Sequence, residues 1–419
     1  MWVQSLRVGG GLARIAAELT REPGRVSAKV LTIETGAGFG GSVVALAKLT
    51  KAMNGAGYES AGAILHHDPE SASYLRKAGV LTADLHAYRR TDATNRFLGR
   101  LERVGRIAKL PVLGMLLGVE AALSFRDMAR VRRLIVQEHP ALLGLNNGAR
   151  ADMLKVVSDL GMFRRAIVHG RGLWPQNARP WQGVYPQLIA MSQAIRRSYI
   201  EAGWPADRAT VVYDPFSISK PADPPQDWRR LAPLPRSVAL VGSLEPWKGH
   251  AVFVDAAALL ALKYPDVSFV LVGGETLVHP GYAASLARRI RERGLDGRVA
   301  ITGWRQDVAA IMGAVDVVVH ASVEPEPFGN VIAEAMSLAK PVVASNAGGP
   351  QEMIRDGIDG ILATPGSAES LAAAIGQLLD RPELAAKLGV QAQQRAREMF
   401  SEERFISDMR QVYESLLTA

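Results

Sequence analysis

A chain of 419 residues with no cysteine excludes a disulfide scaffold, a thiolate zinc site and a cysteine nucleophile, and its length calls for two domains rather than one core. Hydrophobic residues at 48% and charged residues at 21% are ordinary for a globular protein. The charge is uneven: residues 1–235 hold 32 Lys and Arg against 19 Asp and Glu, residues 236–419 hold 17 against 22. The basic half is expected either to meet an anionic partner (a membrane surface, a phospholipid-type acceptor or nucleic acid) or to be a solvated arginine-rich surface. Arg7 and Arg14 lie near the start without a continuous apolar stretch and cleavage site, so no signal peptide is expected. The apolar run Leu110–Val119, ended by Glu120, is too short to span a bilayer. These features fit a cytoplasmic protein, peripheral at the inner face of the membrane if the basic half binds there.

In chain order, a strand is predicted at Lys29–Glu34, then a glycine loop from Gly36 to Gly41 and a helix from Ser42 to about Asn54. The loop satisfies G-x-G-x-x-G at Gly36, Gly38 and Gly41, a pattern that lets backbone approach a phosphate at a helix start or simply packs tightly. The acid that a dinucleotide site wants about 20 residues on falls at His66, His67 and Asp68, an imperfect match. A second strand is predicted near Ala61–Leu65. Between Arg96 and Lys109, cations flank an apolar face at helical spacing, which fits a packed surface helix or an interfacial membrane helix. Strands follow at Leu142–Leu145, Arg165–Val168 and Leu188–Met191, the last leading into Ser192 as a helix N-cap. Six prolines between Tyr213 and Ser237 mark a linker. Beyond it the scheme repeats: strand Val238–Val241, helix Ala251–Leu262, then strands at Val267–Val272, Val299–Thr302, Val315–Val319 and Val342–Ala344. Short apolar runs alternating with amphipathic stretches imply βαβ units and parallel sheets on both sides of the linker.

Two motifs in the second half carry chemistry. Val241 to Gly249 is the end of a strand, a glycine turn and Lys248 just ahead of a helix, where a cation is disfavoured unless an anion joins it. Glu324-Pro325-Glu326-Pro327-Phe328-Gly329-Asn330-Val331-Ile332-Ala333-Glu334 follows a buried strand. Pro327 and Gly329 make a turn, and a helix is predicted from Val331 to Ala339. The N–H groups of Phe328, Gly329, Asn330 and Val331 at its start make an anion site. Glu334, on the first turns, can accept from ribose hydroxyls, and Glu326, in the loop, from sugar hydroxyls; otherwise each only favours the helix dipole, worth about 0.3–1 kcal/mol.

From Val238 to Leu379 the chain resembles the donor domain of retaining glycosyltransferases of family 4. The resemblance rests on Gly242–Gly249, Gly303-Trp304, Glu326–Met336, Lys340–Ala344 and Gly348-Gly349-Pro350-Gln351-Glu352. The first half resembles the family more loosely, through Gly40-Gly41, Ala190–Ala194 and Val211–Pro215. The resemblance implies an α/β GT-B fold: two Rossmann-like doubly wound domains facing each other across a cleft. Residues 1–215 would bind acceptor, 216–236 link, 237–382 bind donor, and helices over 383–419 cross back to the first domain. It implies a metal-independent, retaining hexosyl transfer from a UDP- or GDP-linked sugar to a glycan, lipid-linked or small-molecule acceptor. No cofactor, no metal and no nucleic-acid partner are expected; no D-x-D motif is present to hold magnesium at the diphosphate.

The resemblance makes Glu326, Lys248 and His169 catalytic. It gives donor binding to Gly41, Ser243, Lys248, Trp304, Arg305, Glu326, Phe328, Gly329, Asn330, Val331 and Glu334, and the acceptor side to Gly40, Asn146, His169 and Arg171. In one departure, Ser243 stands where the family has an arginine on the diphosphate, which leaves that charge to Lys248, helix starts, Arg305 or Arg171. A GT-B epimerase and an NAD-dependent oxidoreductase are the alternative enzymes; the latter explains the Gly36–Gly41 loop but neither Lys248 nor the two glutamates.

Overall fold

The computed structural model describes residues 28–36, 40–85, 125–148, 151–173, 185–216, 223–276 and 278–418. Gly38 and the segments 96–109 and 110–119 therefore lie outside the described residues. The chain divides into two compact units, Met1–Gly144 and Leu145–Ala419.

In the first unit β1 (Lys29–Glu34) pairs in parallel with β2 (Glu59–Ile64), and β2 with β3 (Leu81–Asp84). The apolar run of β1 is buried from Val30 to Ile33. Helix α1 (Gly41–Gly55) connects β1 to β2 and buries Val43, Leu46 and Ala47 against Ile64, Leu75 and Val80. Asp68 caps α2 (Pro69–Lys77), its carboxylate accepting from the Ser71 N–H at 2.8 Å. A cap role explains the acid at that position without any ribose. Helix α3 covers residues 125–138, and β4 (Leu142–Asn146) carries the chain onward.

In the second unit, α4 (Ala151–Asp159) precedes β5 (Ala166–Gly170), which pairs in parallel with β6 (Gln187–Ala190), and β6 with β7 (Ala209–Val211). Ser192 caps α5 (Gln193–Glu201), accepting from the Ile195 N–H at 3.0 Å, as its position after an apolar strand predicts. Among its described residues the proline-rich stretch forms one helical turn, Trp228–Leu231. A six-stranded sheet follows, made of β8 (Arg236–Val241), β9 (Val267–Val272), β10 (Val299–Ile301), β11 (Val317–His320), β12 (Val342–Ser345) and β13 (Ile361–Ala363). Its order is β10-β9-β8-β11-β12-β13, parallel throughout.

That order reverses direction between β8 and β11. In doubly wound sheets ligands bind outside the carboxyl ends of the strands at such a switch point. Helices α6 (His250–Lys263), α7 (Tyr282–Glu292), α8 (Val308–Ala314) and α9 (Asn330–Ser337) supply crossovers, α10 (Ala368–Asp380) follows β13, and Phe253, Phe269, Leu271, Ile375 and Leu378 meet in the core. Helix α9 stops two residues short of the predicted end. Ala339 turns to φ 57° and Pro341 follows, so the helical bonds cannot continue. Helices α11 (Pro382–Phe400) and α12 (Glu402–Leu417) close the chain, α12 against the turn Phe163–Arg165. Both parallel arrays are of the Rossmann-like type that the alternating runs predict.

Among the described strands, β3, β7 and β13 are not anticipated from the sequence. They are three or four residues long and are made by pairing with a neighbour rather than by their own pattern.

Candidate active site

Lys248 and Glu326 meet at the switch point. Lys248 ends a helical turn after β8, and Glu326 lies in the loop after β11. The Lys248 ammonium donates to Oε2 of Glu326 at 2.7 Å and stands 3.8 Å from the centre of the Trp247 ring. Gly249 makes this approach feasible. It sits at φ 75°, and a β-carbon there would overlap the Ala321 carbonyl at the end of β11. Gly348 does the same on the other side of the loop, at φ 76°, where a β-carbon would strike the Glu326 backbone.

Glu326 has two further partners. Ser322 Oγ donates to Oε2 at 2.9 Å, and His320 Nε2 lies 3.1 Å from the same oxygen. Burial alone would raise the Glu326 carboxyl, but the hydrogen bond from His320 and the charge of Lys248 outweigh it and hold the group at about 2. Glu326 is therefore ionised at neutral pH.

Helix α9 begins directly after this loop. The Gly329 carbonyl already accepts from Ile332 and Ala333. The N–H groups of Asn330 and Val331 belong to the first turn, which has no acceptor inside the helix. Glu334 lies on the same helix and is exposed. The Phe328 side chain, by contrast, is a core anchor: it stacks on Phe216 at 6.0 Å and meets Phe400 edge-on at 5.6 Å. Only its backbone is available to a ligand. The loop is braced from the β6–α5 side. Ser192 Oγ donates to the Pro327 carbonyl at 2.6 Å, and Glu352 accepts from the Gln193 N–H at 2.8 Å and the Tyr213 hydroxyl at 2.9 Å. Burial pushes the Tyr213 phenol up, and the Glu352 charge pushes it further.

The other expected donor residues are placed less simply. Ser243 lies in the turn after β8, its carbonyl accepting from Glu245 at 2.8 Å. Trp304 is 71% exposed, and its indole covers Gly274. Arg305 is already committed: its guanidinium forks onto Asp307 at 2.7 and 2.8 Å and onto Asp227 at 2.9 and 3.0 Å. A diphosphate would have to compete with two carboxylates for it.

Asn146, His169 and Arg171 also come together. Arg171 donates to Asn146 Oδ1 at 2.7 Å and to Asp214 at 2.6 Å. His169, at the end of β5, is 4% exposed, and its Nε2 has no partner among the described residues. Gly40 and Gly41 open α1 of the first unit; Gly40 is extended, and its carbonyl accepts from Val43 and Val44.

Burial, aided by the Arg171 charge, pushes the His169 imidazole down to about 3. Burial also takes His250, behind Lys248, down to about 4. Both rings are neutral in the fold, whereas unfolded imidazoles take up protons near 6.5. Stability is therefore full above about pH 6.5 and falls as pH drops toward the folded values, by up to about 1.4 kcal/mol per pH unit for each histidine. Chemical denaturation between pH 7 and 4 checks this. His169→Gln is expected to flatten the slope, and an unchanged slope would refute the assignment.

Sequence reasoning missed His320, Ser322 and Asp214 as parts of these clusters. A histidine closing an otherwise aliphatic strand six residues before Glu326 was the available signal.

Comparison with known proteins bears on the domain and the fold. Residues 235–381 match the family described as Glycosyl transferases group 1. The lipopolysaccharide core biosynthesis glycosyltransferase LpsE of Rhizobium meliloti (strain 1021) is 32% identical over 194 residues, 46% of this chain and 51% of LpsE. The matched stretch thus spans about half the length of that relative. Among solved structures, HepE of Anabaena, in complex with UDP and glucose, superposes with a TM-score of 0.72 at 25% identity, covering 93% of this chain and all (100%) of that one. A glycosyltransferase of Rickettsia africae ESF-5 shares the fold with a TM-score of 0.76 at 18% identity, over 94% of this chain and 99% of its own. Residues 235–381 therefore carry a Glycosyl transferases group 1 domain, and the chain has the GT-B fold.

Proposed function

We propose that the protein is a retaining, metal-independent glycosyltransferase that moves a sugar from a nucleotide-diphosphate donor to a carbohydrate, lipid-linked or small-molecule acceptor. The observation that carries the reading is the Lys248–Glu326 pair at the switch point, beside the start of α9. HepE, solved with UDP and with UDP-glucose, supports a nucleotide-sugar donor.

In this reading the bond from the anomeric carbon to the diphosphate breaks and the nucleoside diphosphate leaves. Lys248 and the N–H groups of Asn330 and Val331 stabilise the charge that develops on it. Glu326 orients the hydroxyls of an oxocarbenium-like sugar, and Glu334 accepts from the ribose. His169, with Asn146 and Arg171 behind it, serves the acceptor. The basic N-terminal half, if it meets an anionic membrane surface, would bring a lipid-linked acceptor near.

The test is turnover on a panel of UDP-glucose, UDP-galactose, UDP-N-acetylglucosamine and GDP-mannose, with excess EDTA and with a mixed-glycan acceptor set. Release of nucleoside diphosphate in EDTA, with an axial product bond by NMR from an α-linked donor, is expected. Activity that vanishes in EDTA and returns with magnesium would refute metal independence. Conversion of donor without acceptor would indicate an epimerase.

A further inference from the structure

The carboxylate of Glu326 is held through one oxygen only. Lys248 Nζ, Ser322 Oγ and His320 Nε2 all converge on Oε2, at 2.7, 2.9 and 3.1 Å. Among the described residues no hydrogen bond is made to Oε1, although 11% of the side chain remains accessible. His320 and Ser322 are themselves buried, at 4% and 0% exposure, and lie 3.1 Å apart. Nδ1 of His320 has no partner among the described residues. A proton there would be an orphaned buried donor, so the arrangement favours the tautomer with its proton on Nε2, facing Glu326.

We propose that His320 and Ser322 are positioning residues that saturate Oε2 of Glu326, fix the carboxylate's rotation and so present Oε1 alone to the donor sugar. The proposal rests on the reading of Glu326 as the sugar-binding carboxylate. It gives the two residues a task that Lys248 cannot perform. A bound diphosphate competes for the Lys248 ammonium, because both carry the charge that ammonium seeks. When Lys248 turns toward the diphosphate, Ser322 and His320 still hold Oε2. They approach from inside the fold, where no ligand displaces them. The carboxylate then stays ionised and aimed while its cation is shared. Holding a group in one orientation before the substrate arrives contributes mainly to the chemical step.

The experiment uses the full chain and the sugar nucleotide of the panel above that turns over fastest, with UDP and GDP as binding probes in calorimetry. His320→Leu is expected to lower kcat by at least about tenfold and to leave the affinity for the nucleoside diphosphate unchanged. His320→Gln, whose side-chain amide nitrogen stands near the place of Nε2, is expected to recover most of kcat. Ser322→Ala is expected to lower kcat in the same direction, and its loss is less than additive with that of His320→Leu because both act on one oxygen. Equal losses in His320→Leu and His320→Gln would mean that packing alone matters and would overturn the proposal. So would a His320→Leu enzyme with parental kcat, if Glu326→Gln is crippled in the same assay. If Glu326→Gln keeps its kcat, the reading of Glu326 itself falls. Should the leucine variant not fold, His320→Gln and Ser322→Ala decide: parental kcat in Ser322→Ala then overturns the proposal.

Discussion

Glu326→Gln is expected to lower kcat by about a hundredfold or more, the scale of losing one preorganised transition-state contact. It is expected to leave nucleoside diphosphate affinity within about threefold of the parent, because uniform binding is untouched. The physical case lies in which oxygen changes. Glutamine can keep its carbonyl where Oε2 receives Lys248, Ser322 and His320. Its amide group then replaces Oε1, which turns an acceptor into a donor where a sugar hydroxyl would give its proton. The size of the side chain hardly changes, so lost activity is not lost packing. Glu334→Gln is expected to behave differently. Glu334 is exposed on α9 beyond the helix start, and its loss weakens nucleoside diphosphate and intact donor alike. Steady-state kinetics with calorimetry of UDP and GDP on both variants check the division. Identical profiles would refute it.

Lys248→Ala is expected to weaken nucleoside diphosphate binding by about 1.5–3 kcal/mol, the scale of a charge-assisted hydrogen bond, or roughly ten- to a hundredfold in affinity. Its second effect is on stability. Glu326 is buried and ionised, and removing its cation leaves a charge compensated only by Ser322 and His320. The double variant Lys248→Ala/Glu326→Gln removes that charge as well. It is expected to regain much of the lost stability and none of the lost affinity. Thermal denaturation paired with UDP titration separates the two effects, and unchanged UDP affinity in Lys248→Ala would remove Lys248 from the diphosphate. The aromatic contact with Trp247 does not compensate, since it acts on the same ammonium that is deleted.

Local chemistry settled much of this protein before folding is considered. Apolar, β-branched-rich runs such as Val267–Val272 and Val317–Val319 favour strands buried on both faces, as parallel sheets need. Ser192 caps its helix because a hydroxyl before an amphipathic stretch has no better partner than the first free N–H groups. Gly249 and Gly348 mark turns whose backbone no side chain could share. The pair Lys248 and Glu326 was legible as two separate motifs, since each sits in a punctuated loop between a strand and a helix.

What no local pattern contains is convergence. Residues 248 and 326 are joined only because the strand order places β8 beside β11, a non-local pairing. His320 and Ser322 reach Glu326 within their own loop, and the pairing adds Lys248 to the oxygen they already hold. Arg305 shows the reverse. As sequence it is a free cation near a glycine turn, yet Asp227 arrives from the proline-rich stretch and occupies it. Phe328 likewise looks like part of an anion-binding loop, while its ring is fixed among Tyr213, Phe216 and Phe400. Short-range propensity decides which elements form, but a side chain's charge and freedom depend on neighbours that the tertiary fold brings from far along the chain.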